Sequence, residues 1–380
     1  MAEVSRRVRR ESWLSRLTGS IKSVLAGLLL VGAALPAMWC NEGRAVTTAR
    51  SLEEGAAAVI DVASEAVDVA NEGRLVHVVG RADANETLRD PEFGVTASAI
   101  RLVRTTEMYQ WKEHEKTETR VRPSGGKEEI KTYTYYKEWS EHEIASGSFH
   151  SSSAPTNPGP VPYASTSFTA QTVTLGAFTL PSELVAKVKV QEPLPVTPAM
   201  AAALPASMGM RFAGDGFYRG RDPAAPEIGD VRVRFGIVRP QIVTVIAGQE
   251  KAGFRPYQTR AGDTLSMLEA GSQPAESMFH AAAVVNSVLT WILRAVGFVF
   301  VSAGVFLVFR PIVVLGEAVP VVGTLLGAGL WLFSFGFGGV LSLATIATAW
   351  VFYRPLFAAA LILALGGLVL WLRRRAARRA

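Results

Sequence analysis

The sequence predicts an α+β membrane protein that combines a β-rich extracytoplasmic domain with four transmembrane α-helices, one N-terminal and three C-terminal. Hydrophobic residues make up 49% of the 380-residue chain and charged residues only 19%, a balance more apolar than that of typical soluble domains. The apolar residues concentrate towards the two ends of the chain, and the long middle segment has ordinary polarity. Basic clusters flank the apolar ends, which is typical of segments that stay in the cytoplasm.

The N-terminal region reads as a basic cytoplasmic segment followed by a membrane helix. Residues 1–22 include six basic side chains, and residues 23–40 carry no charge, which approaches the ~20 residues that a spanning helix needs. A cleaved signal peptide is the alternative, but Trp39 and Cys40 are poor small-residue cleavage positions. We therefore predict an uncleaved transmembrane helix at 23–40.

The middle segment, residues 41–286, is predicted to fold as one β-rich domain. It contains 25 basic and 30 acidic residues, so it lacks the net positive charge expected of a nucleic-acid-binding domain. The β-branched run at 75–81 predicts a strand, and the runs at 231–238 and 242–247 predict a hairpin around Pro240.

A long hairpin is the clearest β element in this domain. Residues 101–122 and 127–140 have strand-like composition, and residues 123–126, Pro-Ser-Gly-Gly, predict the turn between them. Centring the turn there places opposite charges across the strands, which contributes about 0.2–1 kcal/mol for each pair. The pairs that this register predicts are Glu118 with Lys131 and Arg120 with Glu129.

The C-terminal region carries three more apolar segments and a basic tail. Glycines at 336–339 could break the second segment into two short crossings. We assign it one crossing, because one crossing places both basic termini in the cytoplasm and the middle domain outside. The predicted boundaries are transmembrane helices at 288–309, 319–352 and 355–372, followed by a basic cytoplasmic tail at 373–380.

Two sets of residues in the membrane region are candidate functional positions. Small residues allow helix backbones to approach closely, so Gly323, Gly327 and Gly329 are predicted to lie on a packing face. Charged residues inside or beside membrane helices mark function or extend to the interface. The predicted membrane-boundary charges are Arg294, Arg310, Glu317 and Arg354.

No catalytic, cofactor-binding or metal site is predicted from the sequence. The single cysteine, Cys40, excludes an internal disulfide and a cysteine-based metal cluster. His114 and His142 are placed about 23 Å apart along the hairpin at ~3.3 Å per residue, too far to share an ion. Three aspartates follow glycine, which is typical of turns rather than acid–base pairs. These are Asp215, Asp230 and Asp263.

Several longer stretches, taken in order, resemble one known family. They are NEGRAVTTARSLEEG (41–55), NEGRLVHVVG (71–80), DPEFGV (90–95), EMYQW (107–111), YYKEWSE (135–141), GDGFY (214–218), PEIGDVRV (226–233), IVTVIAGQ (242–249), GDTL (262–265) and WVFYRPL (350–356). Together they resemble the transmembrane protein 43, or LUMA, family and its bacterial members. The resemblance implies one N-terminal span, a large lumenal or periplasmic domain and three C-terminal spans. It also implies a scaffold role, since eukaryotic members look like proteins that hold lamins and emerin.

We therefore expect a non-enzymatic multi-pass membrane scaffold whose outer domain mediates protein–protein interaction or self-assembly. A channel or pore-forming oligomer is the alternative, and a membrane-embedded lipid-modifying enzyme is the third possibility. The expected partners are membrane lipid, further copies of the chain, and membrane or extracytoplasmic proteins, with no nucleic acid. The expected location is the inner membrane, with a periplasmic domain, if the chain is bacterial. It is the endoplasmic reticulum or inner nuclear membrane if the chain is eukaryotic.

Overall fold

The computed structural model describes residues 4–11, 13–121, 127–151, 153–189, 192–316, 320–355, 359–360, 363, 367 and 371. The helices are α1 Trp13–Ala58, α2 Ser182–Lys187, α3 Pro198–Ala202, α4 Ala275–Gly316 and α5 Pro320–Tyr353. The strands up to the proline-rich middle are β1 Val4–Glu11, β2 Ile60–Ala63, β3 Leu75–Asp83, β4 Thr87–Arg89, β5 Thr96–Ser98, β6 Arg101–Val121, β7 Lys127–Ser140, β8 Thr166–Thr169, β9 Val173–Leu175 and β10 Phe178–Leu180. The remaining strands are β11 Glu192–Leu194, β12 Arg211–Ala213, β13 Gly216–Arg219, β14 Val231–Val238, β15 Gln241–Glu250, β16 Gly253–Arg255, β17 Tyr257–Gln258, β18 Thr264–Leu265 and β19 Met267–Ala270.

Two larger sheets enclose the core of the β-rich domain. The first has the order β1-β7-β6-β14-β13-β12, with β8 beside β6 and β11 beside β14, and the second has the order β19-β15-β16-β10-β9-β3-β2. One apolar cluster draws on both sheets, with Leu102 and Ile237 from the first and Val78 and Val245 from the second, all nearly or fully buried. The predicted strand at 75–81 is confirmed as part of β3.

Three of the described helices are long and apolar enough to cross a membrane. They are α1 from Gly19, α4, and α5 from Val322. The fourth predicted span, 355–372, falls largely outside the described residues, so three spans are found where the sequence predicts four. Helix α5 runs without interruption through residues 336–339.

The first two long helices extend from their apolar runs into the β-rich domain. Leu52 of α1 and Phe279 of α4 are buried in one cluster with Leu75 and Ile246 of the second sheet. Each of these helices is continuous from its apolar run to the β-rich domain, held by its backbone hydrogen bonds. It therefore fixes the orientation of the domain relative to the apolar run. The domain is therefore fixed to the helices through packed side chains rather than through a linker.

The long hairpin is confirmed as β6 and β7, but its predicted register is wrong by one residue. Glu118 lies opposite Ile130, and the residue opposite Lys131 is Thr117. Long charged side chains also reach diagonal neighbours two residues along the partner strand, and Lys131 Nζ donates to Glu115 Oε1 at 2.7 Å. Since such pairs form in either register, the charge pattern does not determine the register. The predicted turn at 123–126 lies outside the described residues.

The predicted hairpin around Pro240 does not form. Strand β14 pairs with β6 in the first sheet, whereas β15 pairs with β3 in the second. A tight two-residue hairpin needs residues that tolerate positive φ, and proline fixes φ near −65°. The segment Arg239–Pro240 therefore carries the chain from one sheet to the other.

Strand β1 adds to the outer edge of β7, with Val4 opposite Thr134 and Glu11 opposite Lys127. Paired strands must lie on the same side of a membrane, because the polar backbone of an open sheet is not tolerated in hydrocarbon. Residues 4–11 can therefore pair with β7, or they can lie in the cytoplasm while the domain lies on the other side of the membrane. The two arrangements exclude each other. In the structure, an added strand occupies this edge of β7.

Candidate functional site

The three long helices meet in a polar cluster at the level where their uncharged runs end. Helix α1 contributes residues 41–44, α4 contributes residues 286–294, and α5 contributes residues 350–353. We call this cluster the helix junction. It unites two of the sequence stretches that carry the family resemblance, at 41–55 and 350–356.

A buried ion pair between Glu42 and Arg294 lies at the centre of the helix junction. Arg294 Nε and Nη2 each donate to one carboxylate oxygen of Glu42 at 2.7 Å, a forked geometry that strengthens such pairs. Trp350 Nε1 donates to the same carboxylate at 2.9 Å, and the guanidinium lies 4.7 Å from the ring centre of Trp291. The side chains of Glu42 and Arg294 are 2% and 14% exposed. These contacts join all three helices.

Arg44 is held in the helix junction by neutral oxygen atoms. Its Nη1 donates to Asn286 Oδ1 at 2.9 Å, and its Nη2 donates to Thr290 Oγ1 at 3.0 Å and to Asn41 Oδ1 at 3.1 Å. Its Nε is buried and has no hydrogen-bond partner among the described residues. The positive charge of Arg44 is therefore oriented by dipoles, and no carboxylate in the described part of the chain contacts it.

Gly43 allows α1 and α5 to touch within the helix junction. A Cβ atom at this position would lie 2.7 Å from Cζ of Tyr353, so a larger residue would displace the ring. The sequence Asn-Glu-Gly-Arg at 41–44 recurs at 71–74, where Gly73 has φ of +75° in a turn. The first copy is helical and the second is a turn, so the two copies do not form a structural repeat.

The four predicted membrane-boundary charges do not lie together. Arg294 belongs to the helix junction, and the exposed Arg354 follows α5 beside it. Arg310 is half-buried near the other end of α4, and Glu317 lies outside the described residues. The sequence reasoning missed Glu42, which is 252 residues away from Arg294 along the chain.

The three predicted packing glycines of α5 have unequal surroundings. Gly323 is buried, and a Cβ atom on Gly327 would lie at an ordinary contact distance of 3.6 Å from Val313. Gly329 is exposed, and nothing among the described residues lies within 4 Å of its Cβ position. A packing role for this set stays a prediction.

Helices α1 and α4 approach closely enough to bring one backbone against the other. A Cβ atom on Gly27 would lie 2.5 Å from the carbonyl oxygen of Gly304, and one on Gly304 would lie 2.6 Å from Val31 Cγ2. Gly297, seven residues before Gly304, packs against Met38. The seven-residue spacing, about two helical turns, is the sequence signal that indicates this face.

Two buried carboxylates of the domain anchor the strands and loops around them. Asp90 is fully buried, lies 3.0 Å from Arg104 Nη1 and accepts the backbone N–H of Glu92 at 2.8 Å. Asp230 accepts a hydrogen bond from the Tyr218 hydroxyl at 2.6 Å. Burial, together with this hydrogen bond, raises the pKa of Tyr218. Both carboxylates are engaged by groups of the domain itself.

The outer edge of β7 presents backbone groups that a further strand can bind. The backbone N–H of Tyr109 donates to the carbonyl of residue 230 at 2.8 Å, and its carbonyl accepts from the N–H of residue 229 at 2.9 Å. These bonds lie on the side of β6 opposite β7, so the odd-numbered residues of β6 point their backbone N–H and C=O groups away from β7. Tyr109 lies opposite Trp139, and opposed residues in an antiparallel pair share this orientation. The odd-numbered residues of β7 therefore face outwards, where Glu129 lies opposite Arg9 of β1.

Comparisons with known proteins agree with the resemblance seen in the sequence. The family model described as transmembrane protein 43 matches residues 108–355. The chain is 35% identical to transmembrane protein 43 of Rattus norvegicus, over 92% of this chain and 89% of that protein. It is 35% identical to the Homo sapiens protein, over 91% and 88%. It is 28% identical to the homolog of Drosophila melanogaster, over 92% and 94%. No solved structure matches the chain. The chain belongs to the transmembrane protein 43 family.

Proposed function

We propose that this protein is a non-enzymatic membrane scaffold whose extracytoplasmic β-rich domain binds protein partners or further copies of itself. The outer edge of β7 is the proposed binding surface. A sheet edge offers a row of unpaired N–H and C=O groups, and partner proteins commonly add a strand there. The observation that carries this proposal is that residues 127–134 of β7 accept an added strand, a position in which β1 stands in for the strand of a partner.

The proposed topology leaves this edge free for a partner. The basic N-terminus and the basic tail are cytoplasmic, four helices span the membrane, and residues 41–286 lie outside. Strand β1 is then separated from β7 by the membrane, and residues 127–134 stay open to a strand from another chain. The sequence of β1 is rich in arginine, so a basic strand is the kind of partner that this edge fits.

A proline substitution tests the proposed edge. Glu129→Pro removes an outward-facing N–H without removing a hydrogen bond between β6 and β7, because proline lacks the donor and is tolerated on edge strands. We expect the full chain, purified in mild detergent and measured by intact mass after cross-linking, to lose its bound partners or its oligomer. Thr117→Pro removes an outward-facing N–H from β6 and serves as the matched control.

The expected pattern is loss of assembly with Glu129→Pro and retention with Thr117→Pro. Assembly that survives Glu129→Pro unchanged, in a variant with wild-type thermal unfolding, would contradict the proposal. A wild-type chain that stays a monomer without partners under these conditions would contradict it as well.

A further inference from the structure

A cavity of about 270 Å³ lies beside the helix junction, between α1, α4 and α5. It is slightly smaller than the roughly 300–1,000 Å³ pockets that enclose whole drug-sized ligands. Its size therefore suits a compact polar group with the rest of the ligand outside. The polar and aromatic side chains that line it include Asn286, Thr290, Trp291, Arg294, Trp350 and Arg354.

The cavity lies at the depth where hydrocarbon gives way to lipid headgroups. The uncharged run of α1 ends at Cys40, and that of α5 ends immediately before Arg354. The bonds from Glu42 to α4 and α5 hold these points of the three helices at one level. Tryptophan is enriched at this depth of a membrane, and Trp291 is 65% exposed beside the cavity.

Positive charge exceeds negative charge around the cavity. Arg294 and Arg354 line it, and no carboxylate does among the described residues. The carboxylate that Arg294 contacts, Glu42, already accepts hydrogen bonds from Arg294 and Trp350. Arg354 has no ion pair within 4 Å among the described residues, and Nη1 of Arg294 has no hydrogen bond in the same part of the chain. Uncompensated cations beside hydrocarbon are costly, and the arginine fork matches phosphate oxygens in geometry.

We propose that this cavity binds the phosphate headgroup of an anionic phospholipid. Arg354 and Nη1 of Arg294 contact the phosphate oxygens, and Asn286 and Thr290 form the polar wall. The acyl chains follow the exposed apolar face of α4 beyond Arg294, where Val296 and Val299 are 43% and 57% exposed. This site does not depend on the proposed scaffold function, since it involves no residue of β7.

Lipid titration of the delipidated full chain in detergent tests the site. The probe is dioleoylphosphatidylglycerol, compared with zwitterionic dioleoylphosphatidylcholine and with inorganic phosphate, and binding is followed by native mass spectrometry. We expect Arg354→Gln to weaken binding of the anionic lipid on the order of tenfold, as for loss of one charge-assisted hydrogen bond. Arg354→Lys should retain part of the affinity, and Arg310→Gln, at the other end of α4, should retain all of it.

Three outcomes would overturn the proposal. In the first, Arg354→Gln and Arg354→Lys both bind the anionic lipid as tightly as the wild-type chain does. In the second, the zwitterionic lipid binds as tightly as the anionic one, so the excess positive charge has no role. In the third, inorganic phosphate competes at the same concentration as the lipid, which identifies a soluble anion as the ligand.

Discussion

At the scale of single residues, the Glu42–Arg294 pair shows why a buried ion pair is sensitive to the loss of one partner. Moving both charges out of water is costly, and their attraction offsets this cost only with good geometry and further hydrogen bonds. The forked contact and the Trp350 hydrogen bond provide both. Removing one partner therefore leaves an uncompensated charge at the membrane boundary.

We expect Glu42→Gln to lower the stability of the protein by about 3 kcal/mol, because breaking a buried pair leaves Arg294 unpaired. The measurement is thermal unfolding of the full chain in detergent. Glu53→Gln is the matched control, since Glu53 lies on the same helix and is exposed, where substitutions change stability by about 0.5 kcal/mol or less. Equal unfolding temperatures for the two variants would refute a stabilising role for the pair.

The sequence reveals one half of this pair and hides the other. Arg294 is conspicuous because a lone charge within an apolar run requires an explanation. Glu42 follows the first apolar run by two residues and looks like an ordinary residue at a domain boundary. Its role depends on the docking of α1 against α4, which local sequence patterns do not encode.

At the scale of elements, α1 and α4 pack closely because neither helix has a side chain at the crossing of Gly27 and Gly304. We expect Gly27→Ala to destabilise the protein by about 1–3 kcal/mol, the usual effect of overpacking. A Cβ atom there would meet a backbone oxygen, which cannot rotate away. Thermal unfolding in detergent is again the measurement.

Gly32→Ala is the control for this substitution. Nothing among the described residues lies within 4 Å of the Cβ position of Gly32, and alanine has a higher helix propensity than glycine. Its stability should therefore be unchanged or slightly higher. If Gly27→Ala behaves like Gly32→Ala, the two helices do not pack as described.

The hairpin should lose stability in acid. The hydrogen bond from Lys131 lowers the pKa of Glu115 from 4.5 to about 2, so this interaction is fully present above pH 4.5 and is lost as the pH falls towards 2. We expect amide hydrogen exchange across β6 and β7 to accelerate in this interval relative to a Glu115→Gln variant at the same pH. An identical pH dependence in both chains would exclude Glu115 as the titrating group.

The sequence predicts which strands exist more reliably than how they pair. Turn residues and alternating polarity identify β6, β7 and β14, because these signals are local. The register of β6 and β7 depends on which face is buried, and a slip of one residue exchanges the faces. Strand β14 pairs with β6, β13 and β11 rather than with β15, and this choice depends on the assembled sheets.

At the scale of the whole molecule, composition is sufficient to predict an α+β membrane protein with its domain between the first and second spans. The thickness of the membrane hydrocarbon sets how long an apolar run must be, and this requirement does not depend on tertiary contacts. The helix junction could not be predicted in the same way, since it unites segments from both ends of the chain. The family resemblance marks the two stretches that meet there without indicating that they touch.

Labelling of engineered cysteines tests the arrangement of the whole molecule most directly. In a Cys40→Ser background, Ser5→Cys and Ser124→Cys are exposed separately to a membrane-impermeant thiol reagent in sealed vesicles of known orientation. We expect Ser124→Cys to react only from the extracytoplasmic side and Ser5→Cys only from the cytoplasmic side. Reaction of both from the same side would keep β1 paired with β7, and would contradict both the four-span topology and the open strand edge on which the proposed scaffold function depends.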